Sequence, residues 1–305
     1  GLLYNESVYI LSNYSCLSSN SPEKLSLDEL LRKQIEGFYF YLKRDTETNV
    51  LLLRKPDGTF TPFSESLEAI KTALDADSTK VMTLFLDFYV ETELESSFKE
   101  IGLMEYVLEY DTKNGWPSLK DMLSSGKRLV VFEVQKHLNS PSWLHNMRDF
   151  VEHTDADWGN QPEGVESFDE RLKKNLSLFT GYKFLETSRG NSNDISALAR
   201  QTPYLIESFK RAWIRDGRVP NFILVDKYYA WLDVSLVTFR NFDIIYGAVT
   251  NNNELLNYVN WDGMSNYTTG KYCFPLEPGA ELMLSPISPG YRIEPATVYV
   301  SGTQR

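Results

Sequence analysis

One pattern limits what this chain can fold into. Short apolar, β-branched or aromatic runs recur along it, and amphipathic stretches lie between them. Residues 8–14 (VYILSNY), 38–44 (FYFYLKR), 50–54, 81–90 (VMTLFLDFYV), 129–135 (LVVFEVQ), 182–187, 222–228 (FILVDKY) and 244–249 read as strands. Ser26-Leu-Asp-Glu29 and Ser118-Leu-Lys-Asp121 are capping boxes that open helices, the first ending before Gly37 and the second stopped by Gly126. Residues 64–74 place Leu67, Ile70 and Leu74 on one helical side, residues 96–101 begin another helix, and 194–215 spell a long one. Near-continuous apolar strands alternating with helices mean a parallel sheet covered on both faces. Eight or so such units favour a closed barrel over an open doubly wound sheet. The expected fold is α/β, a (β/α)8 TIM-type barrel over residues 1–250.

Past residue 251 the helical periodicity fades, and Pro275, Pro278, Pro286, Pro289 and Pro295 punctuate short alternating stretches. Residues 251–305 are expected to form a small β-rich C-terminal extension packed on the barrel, with the stub of a linker as the alternative. The net charge is −11, and the densest basic runs, Lys43-Arg44, Arg54-Lys55 and Lys173-Lys174, are isolated pairs. A nucleic-acid partner, which wants a basic stripe, is not expected. No run of 18 apolar residues is present, so no transmembrane segment is expected. Cys16 and Cys273 could join the two ends or remain separate thiols. Phosphate-loop, serine-hydrolase elbow, zinc-protease and dinucleotide signatures are all missing from the sequence.

Three stretches carry a family likeness. Trp116-Pro-Ser-Leu-Lys-Asp-Met-Leu-Ser-Ser-Gly-Lys-Arg-Leu-Val-Val-Phe132, Thr83-Leu-Phe-Leu-Asp-Phe-Tyr89 and Val219-Pro-Asn-Phe-Ile-Leu-Val-Asp226 resemble, in order, segments of the phosphatidylinositol-specific phospholipase C X-domain superfamily. The resemblance implies a phosphodiesterase barrel of lipid metabolism. Two histidines there act as general base and acid around a cyclic phosphate, with an Arg, and in some members a metal ion, stabilising the charge. This chain departs from that pattern. The first histidine position falls at Ser12, or at Asn13 if the alignment shifts by one, and the second falls at Leu53-Arg54-Lys55. On the second strand Leu42 replaces the acid and Arg44 remains. Serine cannot shuttle protons near neutral pH. The chain therefore reads as a degenerate family member, a pseudoenzyme. The family's habitat and the start at Gly1 rather than Met point to an exported protein, in the periplasm, on the cell surface or secreted.

Parallel strands all end at one face of a barrel, so polar residues at strand ends are the candidates for a site. The candidate ligand-binding residues are Asn13, Arg44, Arg54, Asp226 and Tyr228. Asp87, Glu133 and Asp226 could hold a divalent cation, Ca or Mg, through hard oxygens. His137, one of three histidines, follows a strand and is a candidate proton carrier beside Asp87 and Glu133. His145 and His153 fall in a region expected to be helical and at its surface. The plain structural alternative is a buried ion-pair network of Asp87, Glu133 and Arg44. Three functions compete: a binding protein for a phosphorylated polyol, glycan or protein partner; a phosphoric diester hydrolase with a rearranged, metal-assisted site; and an interaction scaffold.

Overall fold

The computed structural model describes residues 3–7, 9–12, 14–15, 26–33, 35–88, 94–135, 137–153, 178–184, 221–225, 243–256, 258–261, 270–276 and 280–301. The chain divides into two compact units, Gly1–Asn193 with Pro220–Tyr229, and Asp194–Val219 with Ala230–Arg305. The first unit runs β1 (Tyr9–Ser12), α1 (Leu27–Arg32), β2 (Gly37–Arg44), β3 (Leu51–Arg54), β4 (Phe60–Pro62), α2 (Phe63–Ala76) and β5 (Met82–Asp87). It continues through α3 (Leu94–Ile101), α4 (Leu119–Ser125), β6 (Leu129–Glu133), β7 (Leu144–Asn146), α5 (Met147–Phe150), β8 (Val151–His153), β9 (Leu178–Phe184) and β10 (Phe222–Val225).

Local sequence sets these boundaries. Ser26 and Glu29 form the expected reciprocal capping box on α1. Ser118 Oγ accepts from the Asp121 amide to start α4, and Gly126 ends that helix at φ 75°, where a side chain would be strained. In α2 the buried Phe63, Leu67, Ile70 and Leu74 share one stripe against the sheet.

The eight strands of the main path are paired in the order β7-β6-β5-β2-β1-β10-β9-β8, all parallel. β2 outruns the sheet and folds back antiparallel through β3 and β4. A closed ring of these strands would need one further pair, β7 with β8. That pair is not hydrogen-bonded among the described residues, so the expected closed barrel is not formed by its hydrogen bonds. Even so, the sheet curls strongly. Laid flat, eight strands would hold the two edges about 34 Å apart. Asn146 and Val151, on those edges, are five residues apart and can be separated by at most about 17 Å.

Alternation along each strand sorts the side chains into two layers. Tyr9 and Leu11 of β1, Phe85 of β5, Val130 and Phe132 of β6, Val151 of β8 and Phe222 of β10 belong to one buried cluster on the inward face. Tyr4 closes its end below β1, its hydroxyl 2.7 Å from Thr83 Oγ1. Phe38, Phe40 and Leu42 of β2 and Leu84 and Leu86 of β5 are buried on the other face, where Phe40 meets Phe63 of α2 edge-on.

The structure corrects the reading of two regions. The segment expected to be helical contains β7 and β8, and His145 on β7 is 3% exposed rather than at the surface. The strand expected at 244–249 forms as β11 (Asp243–Ala248) but belongs to the second unit. There it pairs antiparallel with β15 (Lys271–Leu276). That unit also holds β12 (Thr250–Asn251), β13 (Glu254–Leu255), β14 (Asn260–Trp261), β16 (Glu281–Leu284), β17 (Pro286–Ile287) and β18 (Val298–Ser301), paired β12–β13, β14–β17 and β16–β18. Its buried core is Leu256, Val259, Trp261 and Leu284.

Candidate functional site

The C-terminal ends of the parallel strands carry polar groups on both faces of the sheet. Register assigns each one. Phe85 lies opposite Phe132 and Leu86 opposite Glu133. Phe85 and Phe132 stack at 5.0 Å in the inward core, so Asp87, two residues after Phe85, faces inward. Glu133 alternates with Phe132 and faces outward with Leu86. The two carboxylates end adjacent strands but stand on opposite sides of the sheet. They cannot both ligate one cation, and among the described residues no three of His, Cys, Asp and Glu gather to hold a metal.

On the inward side, the half-exposed Asp87 accepts a 2.8 Å hydrogen bond from the Tyr39 hydroxyl, and Gln135 Nε2 lies 3.5 Å from its other oxygen. Tyr39, Tyr41 and Lys43 follow one another on this face of β2. Leu42 and Leu53 are direct partners across the β2–β3 pair, which puts Arg54 on the same side as Tyr41. The Arg54 guanidinium lies 5.7 Å from the Tyr41 ring centre, and Lys43 Nζ lies 3.7 Å from that of Phe60. Ser15 ties this corner down: its hydroxyl donates to the Arg54 carbonyl at 2.9 Å and accepts from the Tyr41 amide at 2.8 Å. Arg44 alternates away from this face, opposite Leu51. It forms no ion pair with Asp87, whose partners among the described residues are Tyr39 and Gln135. The buried Asp87–Glu133–Arg44 network expected from sequence is therefore absent there. Lys43 was missed, although its spacing from Tyr39 and Tyr41 in FYFYLKR is a two-residue repeat.

On the outward side, Glu133 is 1% exposed. Its Oε2 lies 3.0 Å from His137 Nδ1 and accepts from Ser140 Oγ at 2.6 Å, while Oε1 accepts from Asn146 Nδ2 at 3.2 Å. His137 also stacks on Phe88 at 4.3 Å. Ser140 bonds the carboxylate rather than the imidazole, so this is not the geometry of an activated serine. The cluster clasps the chain after β6 back onto β6 and β7.

The remaining candidates divide as follows. Ser12 is 4% exposed and shares the outward face with Ile10. Tyr14 packs edge-on against Phe38 and Phe40, and burial pushes its phenol up to about 12. His145 faces inward opposite Phe132, its Nε2 3.1 Å from the Leu108 carbonyl. Burial pulls its pKa down, so it sits in the core as the neutral ring. His153 ends β8, and its side chain lies outside the described residues, as do Asn13, Asp226 and Tyr228.

The family model of the PI-PLC X domain, PI-PLC X 1, matches residues 53–163, from the end of β3 to beyond β8. A solved phosphatidylinositol-specific phospholipase C from Listeria monocytogenes is 13% identical, with 77% of this chain and 93% of that one covered and a TM-score of 0.45. A mutant of the Staphylococcus aureus enzyme is 15% identical over 76% of this chain and 90% of its own, at a TM-score of 0.41. L. pealei PLC21 is 11% identical over 74% of this chain and 34% of its own, at 0.44. Likeness at these scores places no residue of the site. No curated protein matches the sequence.

Proposed function

We propose that this chain, whose residues 53–163 match the PI-PLC X model, is a (β/α)8-type barrel of that kind, with β7 and β8 as a seam not paired to each other, and that it binds a phosphorylated polyol without cleaving it. The observation that carries this reading is the shared inward face of Lys43, Arg54, Tyr39 and Asp87. Two cations there suit a phosphate. The phenol-braced carboxylate and Gln135 suit the hydroxyls of a polyol ring. Neither imidazole whose side chain is described is free on that face at the strand ends. His145 is packed into the core opposite Phe132, and His137 is held by outward-facing Glu133.

Titration calorimetry with myo-inositol 1-phosphate and with myo-inositol tests the reading. Saturable binding of the phosphate is expected, weaker binding of the uncharged polyol, and no product from phosphatidylinositol. Arg54→Ala combined with Lys43→Ala should erase the preference for the phosphate. Asp87→Asn should weaken both ligands about tenfold, the worth of one charge-assisted hydrogen bond. Equal binding of both ligands by the wild type would refute the phosphate site. The proposal extends to export, which fractionation of the native host checks: protein confined to the cytoplasm would end that part.

The Glu133–His137 contact favours one other reading. An imidazole oriented through Nδ1 by a carboxylate is a general-base arrangement. If a phosphodiester is turned over and His137→Ala abolishes it, the protein is a hydrolase with rearranged chemistry.

A further inference from the structure

A second site lies wholly inside the C-terminal unit. A pocket of about 300 Å³ opens onto that unit's own core. Leu256, Trp261 and Leu284 are core residues and also line it. Tyr291, Arg292 and Glu294 line it too, and all three are exposed. Tyr291 is 52% exposed, and the Arg292 and Glu294 side chains, 3.0 Å apart, are 89% and 72% exposed. The volume is at the lower end for small-molecule pockets, on the order of one or two rings.

The backbone beneath the pocket is tightly fixed. Val249 donates to the Gly270 carbonyl at 2.7 Å, Gly270 to Leu256 at 2.8 Å, and Leu256 to Val249 at 3.1 Å. A Cβ on Gly270 would lie 2.7 Å from one of those carbonyl oxygens and 2.8 Å from another, so the three segments meet only because this residue is glycine. β12 and β13 are joined by Asn252-Asn253, both at positive φ, the geometry of a two-residue hairpin turn. Val249, Leu256 and Asn251, all pocket-lining, are thereby set in place before any ligand arrives.

We infer that this pocket binds a neutral saccharide of one or two rings. Its chemistry selects that class. Above the buried floor, the partly exposed Pro286 and Ile293 and the exposed Val298 offer apolar surface to the C–H face of a sugar, and Tyr291 adds a ring at the rim. Arg292 and Glu294 neutralise one another, so the rim has donors and acceptors for hydroxyls without a net field for an anion or a cation. A chain of net charge −11 adds no attraction for a second anion. This inference does not depend on the inositol-phosphate reading of the first unit, and the two can fail separately.

Saturation-transfer NMR on the full chain with galactose, mannose, N-acetylglucosamine, maltose and cellobiose tests it. Transfer to at least one of these sugars at millimolar concentration is expected. Tyr291→Ala and Glu294→Gln, both solvent-facing changes that leave the core untouched, should each weaken that sugar about tenfold. Asp87→Asn should leave it unchanged. The inference is overturned if no sugar receives transfer, if binding survives both rim variants, or if inorganic phosphate displaces the sugar.

Discussion

Arg128 lies within the segment that matches the PI-PLC X model, yet its guanidinium serves the scaffold. It is 5% exposed and donates to the carbonyls of Leu74, Asp77 and Lys80 at 2.9, 2.6 and 3.0 Å. These are one carbonyl of the last turn of α2 and two of the loop that leads to β5, and a cation there is favoured by the helix dipole as well. Arg128→Ala should cost about 2–4 kcal/mol in urea unfolding, because buried acceptors are orphaned; a change under half of that would show the carbonyls to be satisfied by water. This part of the matched segment is legible in sequence because it encodes architecture. His145 illustrates a different residue-scale effect. Burial lowers its pKa below the ordinary value of 6.5. The unfolded chain therefore binds a proton that the folded chain refuses, and stability falls as pH drops below about 6.5. Melting curves of His145→Gln between pH 7.5 and 5 should fall less steeply than those of the wild type; parallel curves would show that His145 contributes nothing to the acid sensitivity.

At the scale of elements, two glycines separate packing from conformation. A Cβ on Gly37, at the start of β2, would overlap the Thr83 carbonyl oxygen of β5 and press on Leu11. Gly37→Ala must push paired strands apart, and a large loss of soluble, folded protein is expected by circular dichroism. Gly126 has open space around it and a φ of 75°. Gly126→Ala should therefore cost only about 1 kcal/mol of backbone strain. If the two variants melt alike, the close approach at Gly37 is not what limits that position. Elements with long apolar runs or capping signals, such as β5, β6, α1 and α4, could be read from sequence. β7 and β8 could not. They are three residues each, LHN and VEH, and two-thirds polar, so neither alternation nor apolar run length marks them. The site was legible to the same extent. Strand-end positions of Asp87 and Glu133 follow from the runs that precede them. Their opposite faces follow only from the Phe85–Phe132 register, which is a property of pairing and not of either segment alone.

At the scale of the molecule, the pairing order has a consequence for synthesis. β1, β2, β5, β6 and β7 line up beside one another in the order in which they leave the ribosome, so each finds its neighbour already waiting. β8 emerges next, only five residues after β7, but its hydrogen-bonding partner is β9, and β9 reaches β1 only through β10, which begins at Phe222. Until then a nascent chain carries that flank of β1 with no described strand paired to it, an open edge of the kind that templates aggregation. A fragment stopped at His153 should be largely insoluble in cell-free translation without chaperones. Adding a peptide that spans β9 and β10 as it is made should recover it. A soluble, monomeric fragment would mean that the flank is shielded without them.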